Sequence, residues 1–184
     1  MRTLPRLLSY FEVAEMFNSS SGKELVLLKC LYYLGLKNSE AQSLKTVDID
    51  LMNNVVKVSQ GKKGRLVPIP GQFGDELRQF ISGRSGFLFE GRSEGKLSDR
   101  HIRRIVKESA IRANIHSAEQ VHPQTLRHSY ASHLQESGVP LNVIQSILGH
   151  ARISSTRIYS KPDLARTREW IDRFFEASKR RKYK

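Results

Sequence analysis

An arginine, two histidines and a tyrosine follow one another in a fixed order in the C-terminal third of this chain: Gln124-Thr-Leu-Arg127-His128, then Leu148-Gly149-His150, then Tyr159. A guanidinium can grip two oxygens of a phosphate through parallel hydrogen bonds. An imidazole can add a further donor, and a phenol oxygen can attack phosphorus. On a chain of net charge +13, this set points to chemistry on a nucleic-acid backbone. Gln124, Arg127 and His128 stand at i, i+3 and i+4, so one helical face presents all three. Leu126, Tyr130 and Leu134 occupy the neighbouring stripe, which suits a core. The nine-residue step from His150 to Tyr159 allows one turn and a short helix that can swing.

Composition narrows the partners. The chain sets 31 Lys and Arg against 18 Asp and Glu, the footprint of a polyanion binder. At 184 residues and 39% hydrophobic, it can form one domain with a substantial core. No apolar run approaches the ~18–20 residues a membrane span needs. The N-terminus has basic residues, Arg2 and Arg6, but no apolar signal region, so a cytoplasmic, nucleoid-associated protein is expected. The single cysteine, Cys30, lies in the apolar run 25–31 and reads as a buried thiol in a reducing compartment. One cysteine cannot build a thiolate zinc cluster, and His101, His116 and His133 lack ligand spacing; neither metal nor cofactor is expected.

The elements that must position these groups are legible in outline. Ser9 and Glu12 form a capping box opening a helix to Phe17, and an apolar helix follows over about 23–35, ended by Gly35. Ser39 is read as the N-cap of another helix, running to Leu44. The period then changes to two over 48–50, 55–58 and 65–69, with turns at Asn53-Asn54 and over Gly61–Gly64, which predicts a small antiparallel sheet. Residues 87–89 are a candidate extra strand. Helices are predicted over 73–81 and 98–113, and helical spacing dominates from Gln124 to Ser178, broken near Gly138, Gly149 and Pro162. Trp170, Phe174 and Phe175 share helical spacing and read as packing residues. The expected fold class is α+β, mostly α: a helical bundle with a three-stranded antiparallel sheet.

The segment from His122 to Leu134, then Gly138 through Leu148-Gly149-His150, then Ile153 to Tyr159 resembles the catalytic domain of the tyrosine recombinases, the phage integrase and Xer-type enzymes. Leu4–Ser9 is similar to the linker that opens that domain. Residues 34–40 resemble the segment around the family's first arginine, and residues 61–68 its β-hairpin with a catalytic lysine. The likeness runs from about Leu4 to Phe175. It implies a site-specific recombinase or integrase that cuts and rejoins DNA through a 3′-phosphotyrosyl intermediate without metal or ATP, chemistry shared with type IB topoisomerases. On this template Tyr159 is the nucleophile, Arg127 clamps the phosphate, and His150 adds a donor. Lys62, or its neighbour Lys63, protonates the leaving 5′-oxygen; Glu40 and His128 support the site. The partner implied is double-stranded DNA, bound by a homotetramer that exchanges the C-terminal helix, about Asp163–Ala177. Without DNA a monomer or weak oligomer is expected.

The chain departs from the family at Lys37, which stands where the first arginine is usual, and at Gln124, where His or Lys is usual. Lysine keeps the charge but loses the planar fork. Glutamine donates a hydrogen bond but carries no charge. His122, two residues earlier, points elsewhere on a helix. These departures suggest a weakened but working site. Two alternatives stay open: a degenerate recombinase that binds DNA without cutting it, and a helix-turn-helix regulator built from Gln124–Ser137 and Pro140–Leu148. The expected organisation is a catalytic domain over 1–178 and a basic tail over 179–184. The N-terminal helical domain common in the family is not expected within these residues, whether they are a fragment beginning at the linker or a naturally short form, and without it weak, salt-sensitive DNA binding is expected.

Overall fold

A computed structural model describes residues 6–60, 63–91, 95–149 and 164–181. Helix α1 (Tyr10–Asn18) opens as expected: the Ser9 hydroxyl accepts from the Glu12 amide at 3.1 Å, and the Glu12 carboxylate accepts from the Ser9 amide at 2.8 Å. Helix α2 (Gly22–Tyr33) carries Val26, Leu27, Leu28, Cys30, Leu31, Tyr32 and Tyr33, all buried, so apolar residues cover most of its circumference. A helix of that kind must sit inside the domain, and α2 packs against α4 and α6.

Helix α3 (Asn38–Ser43) does not use Ser39 as its cap. The cap position is Lys37, because the Glu40 carboxylate reaches back to the Lys37 amide at 2.8 Å. A carboxylate in the third helical position satisfies the amide three residues earlier, so Glu40 sets the start where a serine hydroxyl would have set it two residues later.

The sheet is antiparallel, in the order β1 (Ile49–Asp50), β2 (Val55–Gln60), β3 (Lys63–Pro68). Strands β2 and β3 run further than expected. Gln60 pairs with Lys63 and Ser59 with Gly64, so Lys63 and Gly64 belong to a strand, not to a four-residue turn. Residues 87–89 form no strand. Phe87 makes one isolated bridge to Lys45, and the Leu88 amide bonds to the Leu44 carbonyl at 2.7 Å.

Helices α4 (Gly71–Ile81), α5 (Asp99–Arg112, capped by Ser98), α6 (Pro123–Glu136) and α7 (Leu141–Leu148) complete the bundle. Proline at the first turn of α6 costs no hydrogen bond, since that amide has no partner within the helix. The expected stripe of α6 is inside: Leu126, Tyr130 and Leu134 are buried. Burying each of these side chains stabilises the fold by about 1.5–3 kcal/mol.

Helix α8 (Leu164–Arg181) continues past the expected end at Ala177. It packs on its own chain: the Phe174 ring lies 5.6 Å from Tyr130, and Phe175 lies 4.8 Å from Tyr33. Trp170 is partly buried against the same core, as its spacing implied. Among the described residues, no helix is long and apolar enough to cross a membrane.

Candidate active site

The site begins at a buried arginine. Arg127 is 5% exposed, and its Nη1 and Nη2 donate to the carbonyls of Gly35 and Leu148, the second at 2.6 Å. These acceptors come from the end of α2 and the end of α7, so the guanidinium is held at a junction of three helices. Gly35 allows this. Its φ is +55°, and a Cβ there would lie 2.5 Å from Leu148 Cδ2; only glycine accepts both the backbone and the contact. Burial pulls the Arg127 pKa down to about 10 and the charge of Arg65 pulls the same way, while Glu40 opposes them.

Glu40 is the hub beside it. Arg65 Nη1 and Nη2 bond to the two Glu40 oxygens at 2.6 and 2.9 Å, and Arg65 Nε donates to the Ile147 carbonyl at 2.6 Å. Arg127 Nη1 stands 3.9 Å from Glu40 Oε2. Burial disfavours the ionised carboxylate, but the Arg65 and Lys37 hydrogen bonds and both guanidinium charges outweigh it, holding Glu40 below the usual carboxylate range. Two guanidiniums, Arg127 buried and Arg65 partly buried, therefore share one carboxylate, and one positive charge is left over.

That excess charge opens onto a cavity of about 520 Å³ walled by Lys37, Arg103, His122, Gln124, Arg127 and His128. The three groups that share a face of α6 are thus on one wall. Gln124 Nε2 and His128 Nε2 lie 3.2 Å apart. Partial burial, then the charge of Arg127, lowers the His128 pKa; burial, then Arg103, lowers that of His122. In both imidazoles the surroundings favour the uncharged form.

His122 corrects the sequence reading. It precedes α6 in extended backbone, φ −142° and ψ 169°, so helical spacing does not govern where it points, and it joins the cavity wall. Sequence reasoning misses Arg65 altogether, although a signal exists. Val67 and Ile69 are buried on β3 and just beyond it, and the two-residue period puts Arg65 on their side of the sheet while Leu66 is exposed. An inward-facing arginine demands a buried carboxylate. It misses Arg103 too, which pairs with Asp99, itself accepting from Asn38 at the cavity wall. Lys62, His150 and Tyr159 lie outside the described residues, and of Lys63 only the backbone is described. Among the described residues no group of three or more His, Cys, Asp or Glu is gathered as a metal site requires.

The sequence matches the phage integrase family over residues 3–166. The chain belongs to that family. It is 36% identical over 171 residues to tyrosine recombinase XerA of Thermococcus kodakarensis, covering 87% of this chain and 59% of that protein. It is 32% identical to tyrosine recombinase XerC of Thermodesulfovibrio yellowstonii, covering 97% of this chain and 65% of that one. The chain thus spans about three-fifths of the length of these relatives. Among solved structures, the integrase from mycobacterium phage Brujita superposes with a TM-score of 0.79 at 23% identity, covering 95% of this chain and 59% of that one. The crystal structure of XerA recombinase gives 0.75 at 26% identity, covering 92% and 65%. The mostly helical architecture with its three-stranded sheet is therefore the tyrosine recombinase catalytic-domain fold. Helices α6 and α7 pack against each other and into that core.

Proposed function

We propose that this member of the phage integrase family cuts and rejoins double-stranded DNA at the cavity bounded by the start of α3, the start of α5 and α6. The observation that carries the reading is the unbalanced charge: Arg65 and Arg127 share the one Glu40 carboxylate, and on the cavity wall Arg127 and Lys37 stand beside an Arg103 already paired with Asp99. A phosphodiester is the natural counter-ion. Arg127 keeps an Nε–H and further Nη–H donors beyond the two it gives to carbonyls, which suits it to non-bridging oxygens as charge develops on phosphorus.

Tyr159 supplies the attacking oxygen. The bond from phosphorus to the Tyr159 oxygen forms as the bond to the 5′-oxygen breaks; the phenol proton passes to water, and the leaving oxygen takes a proton from Lys62 or Lys63. Attack by another strand's 5′-hydroxyl reverses the step, so no external energy is consumed. His150 and Lys37 add donors at the phosphate, Gln124 and His128 line the approach, and Glu40 orients the cluster. A homotetramer on DNA, a monomer or weak oligomer without it, and a place near the nucleoid in the cytoplasm complete the proposal.

Lys37 and Gln124 bear on the rate. A lysine offers a point charge where a planar fork would hold two oxygens, and loss of one such donor slows the chemical step by about 10²–10³-fold. The test is incubation with supercoiled plasmid and nicked duplexes, quenching in detergent, and recovery of protein-linked DNA. Wild type is expected to give an adduct, Tyr159→Phe none, and Lys37→Arg a faster one. An adduct persisting in Tyr159→Phe overturns the assignment. DNA binding with no adduct from wild type, but one from the Lys37→Arg/Gln124→His double variant, marks a degenerate recombinase that only binds.

A further inference from the structure

Arg65 is partly buried where β3, the start of α3 and the end of α7 meet. It stands on β3, two residues from Lys63; its side chain is 10% exposed, and all three of its nitrogens are committed. Two of them hold Glu40. The third holds the Ile147 carbonyl, and Arg127 holds the next carbonyl along, that of Leu148. The last turn of α7 is thus gripped by two arginines through consecutive carbonyls, at the negative end of the helix dipole. Gly149 follows directly, with φ +66° and a position for Cβ only 3.0 Å from Arg65 Cδ.

The sharing of Glu40 is uneven. Arg65 takes both carboxylate oxygens at 2.6 and 2.9 Å, whereas Arg127 is left at 3.9 Å. A carboxylate and a guanidinium pair most strongly as two parallel hydrogen bonds, and only one guanidinium can take that arrangement in the plane of the carboxylate. With Arg65 absent, Arg127 is the guanidinium left beside the buried Glu40 among the described residues, with the Lys37 amide still donating to it.

We infer that Arg65 is a positioning residue: by occupying Glu40 it keeps Arg127 from collapsing into an ion pair, and so keeps that guanidinium available to a phosphate. The inference rests on the proposed recombinase function. All three Arg65 nitrogens are spent on Glu40 and the Ile147 carbonyl. Arg65 acts through Glu40 on Arg127, and through Ile147 on the direction in which the chain leaves α7 towards His150. Because Arg65 lies on the hairpin strand that begins at Lys63, the hairpin and the phosphate clamp are mechanically one unit.

A purely structural arginine and one that holds off a competitor give opposite results in a double variant. Adduct formation at saturating duplex, duplex affinity and thermal melting would be measured for wild type, Arg65→Ala, Arg65→Lys, Glu40→Gln and Arg65→Ala/Glu40→Gln. Arg65→Ala is expected to slow adduct formation about 10²-fold, the scale of losing one donor to the developing charge. Arg65→Lys should recover part of the rate, since an ammonium neutralises Glu40 without the fork. The double variant should cleave faster than Arg65→Ala, because an uncharged amide at position 40 cannot capture Arg127. A double variant slower than either single one overturns the inference, as does Arg65→Ala cleaving at the wild-type rate. An inactive wild type overturns the proposed function instead. In that case a crystal structure of Arg65→Ala, or of Arg65→Gln should the alanine protein not fold, decides the inference alone. Glu40 in direct contact with Arg127 supports it; Glu40 still near 3.9 Å away contradicts it.

Discussion

At the scale of single residues, the site is governed by one carboxylate. Glu40 is 4% exposed and answers the Lys37 amide, Arg65 and Arg127 together. Removing one partner from a buried ion cluster costs about 3–5 kcal/mol, since the remaining charges lose compensation without regaining water. Glu40→Gln should therefore lower the urea midpoint sharply while leaving the denaturant slope unchanged; a shift corresponding to less than about 1 kcal/mol would show that the cluster contributes little. The sign of the pH dependence follows from the depressed Glu40 pKa. Between its folded and unfolded pKa values the unfolded chain binds the extra proton, so stability rises with pH across that window. The contribution is complete above the unfolded value and is lost as pH falls through the folded one. Wild type should accordingly lose more stability on acidification than Glu40→Gln does. Parallel pH profiles for the two proteins would contradict this.

At the scale of elements, the ends matter more than the middles. Helix α7 closes at Gly149, where a left-handed backbone and the packed Arg65 side chain coincide. Gly149→Ala should cost about 1–2 kcal/mol from the backbone alone, with a further loss from pushing Arg65 off Glu40. The measurement is equilibrium unfolding together with the adduct rate; an alanine protein as stable and as active as wild type would show that Arg65 has room to move. Ends also separate what the sequence discloses from what it hides. The face of α6 carrying Gln124, Arg127 and His128 is readable because a single helix fixes their relation. The Ser9–Glu12 cap is readable for the same reason. The start of α3 is not, because Ser39 and Glu40 compete to set it, and the outcome depends on Glu40 being drawn inward by arginines distant in sequence. His122 misleads because it sits before a helix, where helical spacing has no force. Arg65 escapes notice because its importance lies in a pairing across 25 residues. Its inward position on β3 is the one local clue.

At the scale of the whole molecule, the bundle and the sheet are joined by the same residues that form the site. Helix α7 and helix α8 both pack on β3, and Arg65 links β3 to the start of α3 and the end of α7. With α8 resting on its own chain through Phe174 and Phe175, the described domain covers its core without a second copy. On the proposed function, the net charge of +13 draws the molecule to DNA, and the guanidinium charge left over beside Glu40 selects a phosphate from it. The central claim is that this phosphate passes to Tyr159. The most direct test traps the protein on a nicked duplex, digests the DNA and then the protein, and reads by mass spectrometry which peptide retains a nucleotide. The nucleotide is expected on the tryptic peptide that begins at Ile158 and runs through Lys161-Pro162 to Arg166, joined through its 3′-phosphate to Tyr159, with a free 5′-hydroxyl on the released strand. A nucleotide on any other residue, or a 5′-phosphoryl linkage, would contradict the account.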